Sequence, residues 1–321
     1  MSSRDILVYI GRRLIAMAVL LVIISIAVFS LLHLAPGSAE DALLGGRIAN
    51  EQTRADIRDR FSLDEPFLVQ YGIWAKGALT LDFGDSIRTG EPVLTAIADR
   101  GQLTLALGAY GFVLAFFLGI GLGVLAAVRN RKGVDRAVVS FSVFGASAPP
   151  FVTGVFLLYV FAVSLGWFPV YGQGEGLADQ LWHLTLPALT LASGAAALLI
   201  RFTRAGMITA LDQDYITFAR ARGVLESRVL VKYALRNALI PVVTAATLLL
   251  GFMLTGAVLI EVTFALPGLG ALLVDSVAFK DVPMVQALAV LLAAAAILTN
   301  LVTDVLYLFV DPRIRHEQGR S

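Results

Sequence analysis

The sequence predicts an all-α integral membrane protein with six transmembrane helices and a small folded module after the first. Three observations carry this. The 321 residues are 58% hydrophobic and only 15% charged, whereas a soluble domain carries about a quarter charged residues. The mean hydropathy is +0.80. Six charge-free runs meet or approach the roughly 20 residues that a helix needs to cross the hydrocarbon core. Lipid offers no hydrogen bonds, so each run must satisfy its own backbone as a helix. None alternates apolar and polar residues as a barrel strand would.

The first run is Leu14–Leu34. Arg12-Arg13 gives it a basic flank, and Gly37-Ser38-Ala39 resembles a signal-peptide cleavage site. A signal h-region is about 7–15 residues; this run is longer and reads as a retained helix. The second run is Leu103–Val128. The third, Ala137–Phe168, is broken by Pro149-Pro150, which frees backbone groups and implies a kink against neighbours or a cavity, or in a transporter a lining of the translocation path. Leu184–Ile200 is shorter, with Pro187 near its start, and Ala238–Ile260 and Met284–Thr303 complete the set.

Lys and Arg gather on alternate segments. The head carries Arg4, Arg12 and Arg13; the second connection Arg129, Arg131, Lys132 and Arg136; the fourth Arg201, Arg204, Arg220, Arg222, Arg228, Lys232 and Arg236; the tail Arg313, Arg315 and Arg320. Basic loops stay cytoplasmic, so both termini are expected in the cytoplasm. The division is 1–35 for the head and first span, 36–102 for an outer module, 103–310 for a five-helix core and 311–321 for a cytoplasmic tail. Within the module, Asn50 can cap a helix reaching Phe61. Asp64 or Glu65 can cap another starting at Pro66, whose stripe Phe67, Tyr71, Trp74 and Ala78 should pack on the membrane domain.

Enzyme readings fail on chemistry. None of the four lysines follows a glycine, so there is no phosphate-cradling P-loop. With no Cys and only His33, His183 and His316, neither a metal centre nor a thiol nucleophile is expected, and no cofactor. A net charge of +1 gives no argument for nucleic acid. Acids near the membrane are few. Glu261 at the outer end of the fifth span can be solvated. Asp304 interrupts the sixth near its cytoplasmic end and either pairs, with Arg201 or Arg204 as candidates, or simply snorkels to the interface.

The informative segment is Asp212–Pro241. Asp214 suits an N-cap, and Tyr215, Phe218, Ala219 and Arg222 share one helical face. Gly223 suits the residue past the end, with Arg220 and Arg222 complementing the dipole. Arg228, Lys232 and Arg236 follow at four-residue spacing, as on an interfacial helix against lipid headgroups. The face of Tyr215, Phe218 and Ala219 is too small and aromatic for that role and fits a groove on a protein partner.

Here the chain resembles the inner-membrane permease subunits of ABC importers for peptides and nickel, of the dipeptide/oligopeptide B-subunit type. "DYITFARARGV" with "LVKYALRNALIPVVT" is similar to that family's EAA loop, and "LDEPFLVQYGIWAKGALTLDFGDSIRTGEPV" to its outer region. "ASAPPFVTGVFLLYVFA", "FALPGLGALL" and "TDVLYLFVDPRIR" match in the same order. Thr217-Phe218-Ala219 stands where the general consensus has Glu-Ala-Ala, and Pro36-Gly37-Ser38-Ala39 where Pro-Gly-Asp-Pro is common.

The resemblance implies a type I ABC importer permease fold, with Asp214–Gly223 as the coupling helix that enters a groove on a separate ATPase. It implies one or two ATPase subunits, a second homologous permease and an extracytoplasmic solute-binding protein, in the inner membrane of a prokaryote. Di- or oligopeptides are the implied cargo and nickel the alternative. A stand-alone ion-coupled carrier would be expected to hold ionisable residues at the bilayer centre, and the spans have none there.

Overall fold

A computed structural model describes residues 3–34, 39–44 and 50–310; for residues 3–10, 34, 41–42, 252, 254–255 and 304–310 it describes the backbone alone. Residues Pro36-Gly37-Ser38, the tail 311–321 and the side chain of Asp304 lie outside the described residues.

The elements in order are α1 (Ser3–Leu34), α2 (Ala39–Leu44), α3 (Glu51–Phe61), α4 (Phe67–Leu79), α5 (Val93–Val128), α6 (Gly133–Ser147), α7 (Pro150–Leu157), α8 (Gly176–Leu211), α9 (Asp214–Ala221), α10 (Glu226–Arg228), α11 (Arg236–Thr263), α12 (Leu269–Ala278) and α13 (Val282–Val310). Two π-helical stretches, Leu158–Ser164 and Val229–Leu235, continue α7 and join α10 to α11. Five helical stretches are long and apolar enough to cross a membrane: Gly11–His33, Val93–Val128, Gly176–Leu211, Glu226–Gly251 and Val282–Thr303. The expected third span is instead two helices, Gly133–Ser147 and Pro150–Ser164, bent by 111°. The prolines explain the break. A residue preceding proline is driven out of the helical region, and Ala148 and Pro149 both lie extended, at ψ 132 and ψ 136. Pro150 then starts α7 at a position where its missing N–H costs nothing.

By contacts the chain divides into two compact units, Met1–Leu103 with Pro267–Leu298, and Thr104–Leu266 with Thr299–Ser321. In the first, Asn50 caps α3 as expected, its Oδ1 accepting from Thr53 N at 2.8 Å. For α4 the cap differs from expectation. Pro66 itself holds that position and neither Asp64 nor Glu65 caps the helix. The Phe67, Tyr71 and Trp74 rings close on Phe29 of α1 with centroids 5.5, 5.7 and 5.5 Å away. Glu40 accepts from Arg58 and, at 3.4 Å, from Arg54; the Arg58 guanidinium holds the Glu40 carboxyl below the usual carboxylate range. Buried Asp281 accepts from Ser86 Oγ and from Ile87 N at 3.2 Å, fixing the loop before α5. Helix α5 itself begins at Val93 rather than Leu103, because Val93, Ala96 and Ile97 join an apolar cluster with Leu272, Met284, Ala287 and Leu288. Helix α12 contributes Leu272 to that cluster.

In the second unit α8 is the central element. It meets α5 through glycines. A Cβ at Gly119 would stand 2.4 Å from Leu199 Cβ, and one at Gly123 2.5 Å from Thr203 Cβ. Small residues of this kind allow close helix approach where lipid supplies no hydrophobic drive. Helix α8 also packs on α11, with Ala192, Ala196 and Leu199 in one cluster with Val242, Ala245 and Ala246, which Ala115 of α5 joins. Glu261, expected to be solvated, is fully buried and accepts from Thr104 Oγ1 at 2.6 Å. A carboxylate so placed needs such donors, since burial without them is costly.

Candidate functional site: the α9 helix and its anchorage

Helix α8 ends at Leu211, and α9 follows at once over Asp214–Ala221. Gln213 holds the N-cap position rather than Asp214, which is the first helical residue, and no side chain caps the helix. Asp214 still sits in the first turn and Arg220 in the last, each favourable to the helix dipole. Gly223 adopts φ +76, a conformation that costs glycine nothing. It lets Gly223 N and Val224 N donate to the Arg220 and Ala219 carbonyls at 2.9 and 3.1 Å, closing the helix end.

The packing splits the face drawn from sequence. Ile216 and Ala219, one turn apart, are buried against Ala127, Met207, Ala210, Val229, Ala234 and Ala238 of the same unit. Ala219 therefore does not point at a partner; its small side chain is what lets α9 lie close to the chain's own core. Phe218 is 68% exposed and Tyr215 38%, and Arg222 is exposed beside them. Two polar contacts steady this outward face. Asn237 Nδ2 donates to the Tyr215 hydroxyl at 3.0 Å. Arg220 forms a two-pronged pair with Glu226, at 3.1 and 2.6 Å, across the Gly223 turn. The result is a short helix fixed by its inner face, presenting a large aromatic side chain outward.

The Asp304 side chain lies outside the described residues, but Arg204, one of its two candidate partners, is engaged by another carboxylate. Arg204 donates Nε to Asp135 Oδ1 at 2.6 Å and Nη2 to Oδ2 at 2.8 Å. Its Nη2 also reaches Asn130 Oδ1 at 3.3 Å. Asp135 is buried and accepts from Arg131 N at 2.8 Å, with Arg131 at φ +62. This carboxylate thus ties the α5–α6 turn to α8 one short step before α9. Arg201 is exposed. Sequence reading passed over Asp135; adjacent Arg136 makes it look like a surface residue, and nothing in the linear order points to Arg204. The Pro149-Pro150 bend borders a cavity of about 360 Å³ between both arms and α8, with a carbon-rich wall that includes Phe141, Phe144, Phe156, Phe161 and Leu189.

Comparison with known proteins decides what kind of chain this is. Residues 119–316 match the model of the binding-protein-dependent transport system inner membrane component, and residues 6–108 match the N-terminal model of the same membrane components. The chain belongs to that family. It is 39% identical over 312 residues to a probable peptide ABC transporter permease protein, y4tP, of Sinorhizobium fredii, covering 96% of this chain and 99% of the relative. It is 41% identical over 309 residues to the glutathione transport system permease protein GsiC of Escherichia coli strain K12, with the same coverage. The fold is similar to that of a chain in an inward-facing MetNI methionine ABC transporter, at TM-score 0.53 and 19% identity over 68% of this chain and 97% of the other. This family member is therefore a transport subunit of an ABC importer and not an enzyme; ATP hydrolysis belongs to a separate ATPase.

Proposed function

We propose that this family member forms one half of the membrane pathway of an ATP-driven importer of small peptides. The carrying observation is α9, held from within by Ile216 and Ala219 while it presents Phe218 and Tyr215 outward. Such a helix transmits force rigidly to α8 and α11, on which it is built, and its exposed ring needs a groove on another protein. The ATPase subunit is that protein, with Asp214–Gly223 as the coupling segment. A second permease chain completes the pathway, and a solute-binding protein delivers cargo. The peptide and glutathione names of the relatives support peptide cargo; nickel gains nothing from either.

The same reading takes the bent pair α6–α7 as the third of six spans and puts both termini in the cytoplasm of a prokaryotic inner membrane. It places 36–102 outside and the Pro149-Pro150 bend beside the substrate path. The test is reconstitution of the importer in liposomes. ATP-dependent, binding-protein-dependent uptake of labelled glutathione or dipeptide is expected, with no ATP turnover from this chain alone. Uptake of Ni²⁺ without peptide uptake would overturn the cargo, and ATP turnover by the isolated chain would overturn the division of labour.

A further inference from the structure

Helix α9 and the bent arm α6 are held in the second unit by different means. Apolar packing seats α9, with Ile216 and Ala219 against Met207 and Ala210 of α8 and Ala127 of α5. Helix α6 has no such seat. Of its 15 residues only Asp135 and Ser142 are buried. The Ser142 hydroxyl turns back to the Val139 carbonyl of its own helix at 2.8 Å. The second half of α6 borders the cavity at the bend, which Phe141, Phe144 and Gly145 line from α6 and Ser193, Ala196 and Ala197 from α8.

That leaves Asp135. Its carboxylate accepts from Arg204 Nε and Nη2 at 2.6 and 2.8 Å, a two-pronged charged geometry that fixes direction as well as distance. Among the described residues no other α6 side chain is hydrogen-bonded to α8. Arg204 stands one helical turn, about 4.5 Å along the axis, before Met207, which is fully buried in the cluster that seats α9. The same carboxylate accepts from Arg131 N at 2.8 Å, and Arg204 Nη2 reaches Asn130 Oδ1 at 3.3 Å. The turn between α5 and α6 is thus gathered onto Arg204. A displacement of α9 reaches α5 and α8 through packed carbon. It reaches α6 through this short turn and the ion pair that stiffens it.

We infer that Asp135 and Arg204 are positioning residues for transport. Their pair carries movement of α9 into the bent arm, so that ATP hydrolysis reshapes the bend and its cavity. The inference rests on α9 being the segment that meets the ATPase, and the test reads that premise separately.

The assembled importer, with its ATPase, second permease and binding protein, is reconstituted in liposomes. Dipeptide imported per ATP hydrolysed is measured for wild type, for Arg204→Lys, and for the neutral pair Asp135→Asn with Arg204→Gln. The neutral pair avoids leaving a buried carboxylate alone, which would by itself destabilise the chain. Coupling between sites is typically about 5–150-fold, so the neutral pair should import at least about five-fold less dipeptide per ATP. Arg204→Lys keeps the charge and loses the fork, and should fall between. A merely structural loss lowers import and hydrolysis together and leaves their ratio alone. The chain has no cysteine, so nitroxide labels on Ala137→Cys of α6 and Thr209→Cys of α8, both exposed positions, report the separation of the two helices without background. A non-hydrolysable ATP analogue should leave that distance unchanged in the wild-type importer, because α6 rides with α8, and should shift or broaden it in the neutral pair. A wild-type import ratio in the neutral pair would overturn the inference, as would a nucleotide-dependent distance in the wild-type importer. Phe218→Ala tests the premise: ATPase retention and import both at the wild-type level there would remove the coupling role of α9, and the inference with it.

Discussion

Phe218→Ala isolates the outward face of α9. With 68% of the residue exposed, the ring contributes little to this chain's own stability. An aromatic side chain buries about 150–250 Å² when fully enclosed. About two-thirds of that, roughly 130 Å², remains for a partner to cover. At about 25 cal/mol per Å² this is about 3 kcal/mol, and after allowance for what alanine retains, about 2 kcal/mol. That corresponds to roughly 30-fold in affinity for the ATPase subunit. The contrasting variant is Ile216→Ala. Ile216 is fully buried, and truncation there should cost the chain about 2–5 kcal/mol of its own stability. The assay is co-purification of the ATPase with tagged permease, together with binding-protein-stimulated ATP turnover in liposomes. Phe218→Ala should give normal permease yield and melting temperature, with weakened ATPase retention and reduced stimulated turnover. Ile216→Ala should lower yield and melting temperature first. If Phe218→Ala matches wild type in both retention and turnover, the aromatic face is a membrane-surface feature and the coupling assignment is wrong.

Gly223→Val should lower transport through backbone strain of about 1–2 kcal/mol, because φ is +76 and a Cβ there would meet nothing within 4 Å; Gly223→Asn, which tolerates this conformation, should retain most uptake, and equal loss in both would refute the strain argument. Asp135→Ala removes the acceptor of both Arg204 and Arg131 N, so amide exchange over residues 129–133 should rise. Exchanging the charges, Asp135→Arg with Arg204→Asp, should restore only part of the protection, because the bond to Arg131 N stays lost. Unchanged exchange in Asp135→Ala would show that the pair does not hold the turn. For topology, Glu91→Cys should react with an impermeant maleimide on intact cells while Ser227→Cys should not, and the reverse pattern rejects the orientation; buried Ser86 is a poor labelling site despite its place in the same loop.

Local periodicity and composition carry the helices, because those signals are summed over neighbours in the chain. The apolar runs, the Asn50 cap, the positive φ at Gly223 and the break at Pro149-Pro150 were all legible in that way. So was the fact that Tyr215, Phe218 and Ala219 share a helix. Which of them looks inward was not. That depends on Ala127, Met207 and Ala238 arriving from other helices, and a helical wheel holds no information about them.

The charged residues make the same point. Arg201 and Arg204 were both candidate partners for Asp304 by their depth on the fourth span; Arg204 engages Asp135, 69 positions away in sequence. Glu261 was read as solvated at a span end, yet the fold buries it against Thr104. A buried carboxylate is tolerated wherever the fold brings donors to it, and only the packed chain brings those donors together. The sequence alone established a membrane-spanning helical subunit without its own ATP-binding loop. The tertiary structure decided which face of α9 is free to meet a partner, because side-chain direction follows from long-range packing and not from local order.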